Sequence, residues 1–229
     1  MSNLSGRKIL PANVTLLNHP VVEVAITRLR ICKGGKSYTD LMTLVGRFLA
    51  IEATRDLPTK EWIVVSRMRL QANGRELDGR VGLVSITRGG NDLIEAFRGL
   101  LPESPVYHVA ARRKSKAGPN GEKIVYAELL DSKLPKTLPS GMKTMIVLDP
   151  MFASGSSAEL VLNLVQTLGP SRIIFVCALA APEGMDMIAE RFPDVRVIMA
   201  QLDERLNDDS YIEPGWGDGS DISNCTEHD

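Results

Sequence analysis

The segment Ile146-Val147-Leu148-Asp149-Pro150-Met151-Phe152-Ala153-Ser154-Gly155-Ser156-Ser157 holds the residue types best suited to chemistry in this 229-residue chain. An apolar run ends in Asp149, small residues follow, and a helical pattern runs from Ala158 to Leu168, so the spacing predicts strand, tight loop and helix. Such a loop can cradle a phosphate. Gly155 lets the backbone approach a ligand, and successive N–H groups at a helix N-terminus offer donors and partial positive charge to an anion. Asp149, at the carboxyl end of the strand, is placed to meet the hydroxyls of an attached sugar. Small residues at a strand-to-helix turn also occur as plain caps, and the pattern alone leaves both readings open. No Lys follows Gly155, which excludes a Walker loop, and the Gly-x-Gly-x-x-Gly spacing of dinucleotide sites is absent. A ribose-phosphate type of site remains.

Holding such groups takes a sheet whose strands end along one edge. Val21 to Arg30 and Tyr38 to Arg55 show apolar residues at helical spacing, with Leu41, Leu44, Val45, Phe48 and Leu49 as the expected buried stripe. Lys33-Gly34-Gly35-Lys36 reads as the turn between them, and Asp56-Leu57-Pro58 closes the second helix. Trp62 to Leu70 alternates as a strand, Arg75 to Asp78 reads as a turn, and Val81 to Ile86 is a buried strand ending at Thr87-Arg88-Gly89-Gly90. Asn91 to Leu100 reads as a helix. Val106 to Ala111 gives another strand, ending at Arg112 and Arg113, and the polar stretch Lys114 to Lys123, with Gly118, Pro119 and Gly121, is expected to be a mobile flap. Met145 to Leu148, Ile173 to Ala180 and Arg196 to Met199 complete a series of short apolar strands alternating with helices. The expected fold is α/β, an open doubly wound, mostly parallel sheet, in which ligands sit beyond the carboxyl ends of the strands. Arg88, Arg112 and Asp149 all fall at such ends. One domain is expected, with an N-terminal helical region (1–58), a core sheet with its flap (59–202) and a loop-rich C-terminal hood or tail (203–229).

Bulk properties narrow the partners. Lys plus Arg number 27 and Asp plus Glu 28, a formal net charge of -1, so no global positive field recruits nucleic acid or an acidic membrane. Cys32, Cys177 and Cys225 show no paired or metal-like spacing, Cys177 reads as a buried thiol, and a reducing compartment is expected. The polar amino terminus, Met1 to Pro11, has no signal-peptide core, and the run around Ile173 is too short to span a bilayer, so the expectation is a soluble cytoplasmic protein. His19, in the Asn18-His19-Pro20 turn, and His108, in a strand, read as structural.

Four separated segments, Ile86-Thr87-Arg88-Gly89-Gly90, Lys133-Leu134-Pro135, Asp149 to Ser157, and Tyr211-Ile212-Glu213-Pro214-Gly215-Trp216-Gly217-Asp218, resemble those of the uracil phosphoribosyltransferases. Leu17-Asn18-His19-Pro20, Glu52 to Pro58 and Ala181-Pro182-Glu183-Gly184 add matches in the family's order over nearly the whole length. The resemblance implies a type I phosphoribosyltransferase core with a small C-terminal hood. It implies the joining of uracil to the ribose of phosphoribosyl pyrophosphate (PRPP), which gives UMP and pyrophosphate in pyrimidine salvage, with Mg2+. By position, Asp149 and the run Pro150, Met151, Phe152, Ala153, Ser154, Gly155, Ser156 and Ser157 would hold the ribose and its 5-phosphate. Arg88 and Arg112 would meet the pyrophosphate, and Asp218 the metal-bound substrate. Ile212, Gly217, Asp218 and Gly219 would face uracil. A homodimer or higher homo-oligomer is also implied, with the amphipathic helices before Pro58 as interface material.

The chain departs from the family pattern at several points. Thr87 and Gly89 stand for Leu and Ala, Ser154-Gly155-Ser156-Ser157 for Thr-Gly-Gly-Ser, Glu213 for an apolar residue, Trp216 for Leu, and Gly219-Ser220 for Ala-Gly. Ser156 fits if its position is an ordinary helical N-terminus and obstructs if it needs a positive φ. Glu213 either points to solvent or accepts hydrogen bonds from a different base. These positions keep two alternatives in view: a homologue that binds a ribose phosphate or nucleotide and regulates, and a transferase for another base.

Overall fold

The computed structural model describes residues 10–119 and 123–226. Met1 to Ile9 of the polar amino terminus, Asn120, Gly121 and Glu122 of the expected flap, and 227–229 of the tail lie outside the described residues.

Short apolar runs separated by helices make the frame. In chain order, β1 (Val14–Leu16), α1 (Pro20–Leu29) and α2 (Lys36–Thr54) precede a hairpin of β2 (Thr59–Val65) and β3 (Gln71–Leu77). Then come β4 (Arg80–Thr87), α3 (Asn91–Arg98), β5 (Val106–Ala117) and β6 (Lys123–Ser132). The second half alternates β7 (Met142–Leu148), β8 (Met151–Phe152), α4 (Ser156–Thr167), β9 (Arg172–Ala180), α5 (Pro182–Arg191) and β10 (Arg196–Leu202). It ends in β11 (Arg205–Leu206), β12 (Ile212–Glu213) and α6 (Gly219–Asn224).

The main sheet runs β1-β10-β9-β7-β4-β5-β6, with β8 also on β9; every pair is parallel except β5 with β6. The mostly parallel sheet expected from the alternating pattern is therefore present. Successive side chains of a strand face opposite ways, and each face has its own core. Leu83, Ile146, Leu148 and Val176 pack with α1, α2 and α3, whereas Val84, Val147, Phe175 and the buried Cys177 pack with α4 and α5. Helix α2 turns Tyr38, Met42, Val45, Leu49 and Ala53 inward, while Leu41, Leu44 and Phe48 are only partly buried. Gly46 allows the close approach of α3, since a Cβ there would lie 2.9 Å from the Ala96 Cβ.

Three expectations are corrected. Trp62 to Leu70 is not one strand: the chain turns at Ser66–Leu70, where the Ser66 N–H donates to the Leu70 carbonyl at 2.8 Å, and Arg69 takes a φ of 59°. Arg75 lies inside β3, and β2 with β3 forms a separate two-stranded sheet. Strand β5 does not end at Arg112 and Arg113; it continues to Ala117 against β6, so the expected flap is largely an antiparallel hairpin. Helices α1 and α2 each bury an apolar face in the core but leave Val21, Val24 and Ile51 exposed, and Trp62, Ile63, Val65, Met68 and Leu70 of the β2–β3 hairpin are exposed as well.

The C-terminal hood is tied down by a buried carboxylate. Arg30, just past α1, donates through Nη1 and Nη2 to Asp203 Oδ2 and Oδ1 at 2.8 and 2.6 Å, and through Nη1 to the Gly215 carbonyl at 2.8 Å. The Gly215 N–H returns a bond to Asp203 Oδ2 at 2.8 Å. The Asp203 side chain is 2% exposed and that of Arg30 24%, so removing one partner strands the other in a poorly solvated place. Asp203→Ala is expected to cost about 3 kcal/mol in urea denaturation. Arg205→Ala, which breaks an exposed pair with Glu213, is expected to cost less than about 1 kcal/mol.

Candidate active site

A recess lies beyond the carboxyl ends of β4 and β7 and under the hood, which is where an open parallel sheet binds ligands. Asp149 and each of Pro150, Met151, Phe152, Ala153, Ser154, Gly155, Ser156 and Ser157 line it. Arg88, Ile212, Gly217, Asp218 and Gly219 line it too, so segments far apart in sequence converge on one space.

The cradle has the geometry that its sequence suggests. Gly155 is the N-cap of α4 with φ 82°, a left-handed conformation suited to glycine, and a Cβ there would collide with the Met187 methyl. Ser156 is the first residue of α4, an ordinary helical position, so its Cβ needs no unusual backbone. The first-turn N–H groups of such a helix have no intrahelical partner and point toward the recess with the positive end of the dipole.

Asp149 is partly exposed on the floor of the recess, and one carboxylate oxygen accepts from the Met151 N–H at 3.3 Å. Burial pushes its pKa up from 3.8 to about 7, against the Met151 N–H and the positive charge of Arg113, with Asp218 adding to the rise. Asp218 caps α6: its Oδ1 accepts from the backbone N–H groups of Ser220 at 2.9 Å and Asp221 at 3.2 Å. Arg88 reaches from the end of β4 to the hood, where its Nη2 donates to Asp221 Oδ1 at 2.5 Å and to the Ser220 hydroxyl at 3.3 Å.

Arg112 is the exception among the expected site residues. On β5, Val109, Ala111 and Arg113 share one face, and Ala111 and Arg113 line the recess; Arg112 faces the other way, opposite Glu128 of β6. Arg113 Nη1 also reaches the Ser210 carbonyl at 3.4 Å. Counting by twos from the buried Val109 would have found it. Ser210, which the sequence pattern did not single out, lines the recess too, as do Tyr211 and Ser220, to which it gave no role.

Other positions have plain explanations. Glu213 is outside the recess and pairs with Arg205 at 2.9 Å. His19 caps α1 by accepting from the Val21 N–H at 3.1 Å, and its ring packs on Phe48 with centroids 4.4 Å apart. No described helix is long and apolar enough to cross a membrane.

Comparison with known proteins agrees with this arrangement. Residues 16–225 match the model of the family described as uracil phosphoribosyltransferase. A protein named uracil phosphoribosyltransferase from Oceanobacillus iheyensis is 36% identical over 211 residues, covering 91% of this chain and 96% of that protein. One of the same name from Symbiobacterium thermophilum is 35% identical over 212 residues, covering 92% and 97%. Among solved structures, the AQ2163 protein from Aquifex aeolicus superposes with a TM-score of 0.81 at 27% identity, over 91% of this chain and 96% of that one. An adenine phosphoribosyl transferase from Trypanosoma brucei shares the fold at a TM-score of 0.53 and 11% identity, over 92% and 90%. The chain therefore belongs to the uracil phosphoribosyltransferase family and is a phosphoribosyltransferase enzyme of type I fold.

Proposed function

We propose that this recess joins uracil to the ribose 5-phosphate of PRPP, with pyrophosphate as the leaving group, as a step of pyrimidine salvage. The observation that carries the reading is the convergence of a phosphate cradle, two arginines and a loop rich in backbone donors and acceptors on one space. In the reaction the bond from the anomeric carbon to the pyrophosphate oxygen breaks, a ring nitrogen of the base bonds to that carbon, and the nitrogen loses its proton. The first turn of α4 and residues Ser154 to Ser157 hold the 5-phosphate. Asp149 meets the ribose hydroxyls. Arg88 and Arg113 receive the negative charge that develops on the leaving group, where fixed cations lower the barrier most. An arriving diphosphate takes Arg88 from Asp221. Ile212 and Gly217 to Gly219 read the base with main-chain groups, whose rigid N–H and C=O array suits a planar ring of alternating donors and acceptors.

Magnesium fits this donor set. Among the described residues no group of three or more His, Cys, Asp or Glu is gathered to cage an ion, but Asp149 and Asp218 offer hard oxygens beside the place for the diphosphate. That suits an ion which keeps waters and takes most ligands from substrate phosphates. Bound with PRPP, it would supply charge neutralisation to the leaving group.

Neither alternative gains from the geometry. Ser156 sits at a helical N-terminus, and Glu213 is engaged by Arg205 away from the recess. The free thiols of Cys32, Cys177 and Cys225 support a reducing, cytoplasmic setting. Self-association through the β2–β3 hairpin is part of the same reading, because Trp62, Ile63, Val65, Met68 and Leu70 expose more apolar surface than a lone hairpin keeps in water.

Three measurements test this. Purified protein with PRPP, uracil and Mg2+ should form UMP. Arg88→Ala and Arg113→Ala should each lower kcat/KM for PRPP about a hundredfold, and Arg112→Ala less than about threefold; no UMP, or equal losses at Arg112 and Arg113, would sink the assignment. Ile63→Lys with Val65→Glu should shift sedimentation toward the monomer, and an unchanged mass would remove the hairpin from the interface. Asp149 gives a pH signature. Its pKa is higher folded than unfolded, so its proton favours the native state at low pH, and stability falls as pH rises from about 4 through about 7. Asp149→Asn should match wild-type stability at pH 4. At pH 8 it should exceed it by on the order of 1–2 kcal/mol, discounted because the carboxyl faces an open recess, while losing PRPP binding.

A further inference from the structure

Beneath the base-reading segment lie two buried polar groups that the reaction does not use. The Tyr38 side chain comes from α2, is wholly buried, and brings its hydroxyl up to the start of α6. The Trp216 indole, in the hood, is 7% exposed. Among the described residues, neither the Tyr38 hydroxyl nor Trp216 Nε1 has a hydrogen-bond partner, nor does Asp92 Oδ2 nearby. Trp216 Nε1 stands close enough to the Tyr38 oxygen to pull its pKa down somewhat, yet outside good hydrogen-bond geometry; burial first, and then the charge of Asp92, outweigh it and keep the phenol neutral. Unpaired buried polar atoms are costly and rare in native proteins, and phenylalanine would fill the space beside α2 without that cost.

Both atoms meet at Gly219. A Cβ built there would lie 2.6 Å from the Tyr38 hydroxyl oxygen, 3.3 Å from Trp216 Nε1 and 3.3 Å from the Met151 Cγ. Gly219 is the first residue of α6, and its φ is not in the left-handed region, so its backbone would accept alanine and only the space refuses it. The next residue back, Asp218, caps α6, and Gly217, Asp218 and Gly219 all line the recess. The height of Gly219 above Tyr38 and Trp216 therefore sets where these three present their main-chain groups.

We propose that Tyr38 and Trp216 are positioning residues for base recognition, a floor that fixes the Gly217–Gly219 segment over the recess, and that residue 219 is glycine because this floor is there. The proposal rests on the recess being a uracil site. Tyr38 and Trp216 touch no substrate; they act through Gly219. Tyr38→Phe retains the ring in the core and removes only the oxygen, so it separates positioning from folding.

The test compares Gly219→Ala in the wild-type and Tyr38→Phe backgrounds. In the wild type, Gly219→Ala should raise KM for uracil about tenfold, and in the Tyr38→Phe background about twofold or less, a coupling of the size expected for groups in contact. KM for PRPP should rise clearly less than KM for uracil throughout, since the cradle and Arg113 are not displaced and Asp218 is the one PRPP-side group in the moved segment. An equal uracil penalty in both backgrounds, or parallel rises for uracil and PRPP, would overturn the proposal. A second readout needs no substrate. The chain has two tryptophans, and with Trp62→Phe the emission reports Trp216 alone; it should shift on Gly219→Ala and return when Tyr38→Phe is added. Emission unmoved by Gly219→Ala would overturn the floor itself. Absence of uracil turnover in the wild type would instead overturn the base assignment, leaving the coupling to be decided by the emission cycle.

Discussion

The buried Asp203 carboxylate holds together the parts on which recognition depends. One carboxylate joins the end of β10, the residue after α1 and the backbone of the hood, since Arg30 bonds both its oxygens and Gly215 bonds one. In a low-dielectric setting such bonds are strong and directional, and leaving any of them unmade is expensive. The hood has little regular structure, only a two-residue strand pair and a six-residue helix, and could not hold its shape by its own packing. Its order is borrowed from the N-terminal helices. Arg30 grips Gly215, the Gly35 N–H bonds the Ile222 carbonyl, and Tyr38 lies under Gly219.

The two halves of the site are thus built on different physics. The cradle is part of the parallel sheet: Asp149 follows a strand buried on both faces, Phe152 stacks on Phe175 with ring centroids 4.7 Å apart, and α4 starts at a left-handed glycine. What it offers an anion is backbone N–H groups and a helix dipole, which tolerate changes of side chain such as Ser156. The hood lines the recess with a short loop, to which we assign base reading, and the position of that loop is set by contacts from other elements. Departures from the family pattern at Trp216 and Gly219 fall in that loop, and the structure pairs them in space.

Much of this was legible in the sequence because parallel strands, buried on both faces, read as continuous apolar runs with their functional residues at the ends. Asp149 and Arg88, which line the recess, were singled out that way. The hairpin at Trp62 was not, because its turn places a left-handed φ on Arg69, a residue type that does not advertise one, while alternation carries on through the turn. Arg113 was missed in favour of Arg112 because β5 runs on past the sheet's edge and its alternation, rather than its end, decides which arginine faces the recess. Arg30 and Asp203 left no signal at all, since their partnership spans 173 residues and neither sits in a motif.

The contact between Arg88 and the hood has an ionic consequence. An anion bound at Arg88 replaces an internal one, Asp221, so its net affinity is the difference between two attractions of the same kind. Dissolved salt screens both. The exchange therefore responds to ionic strength less steeply than capture by a bare cation would, and simple monovalent anions, which offer one charge where a diphosphate offers several, have little to gain by entering.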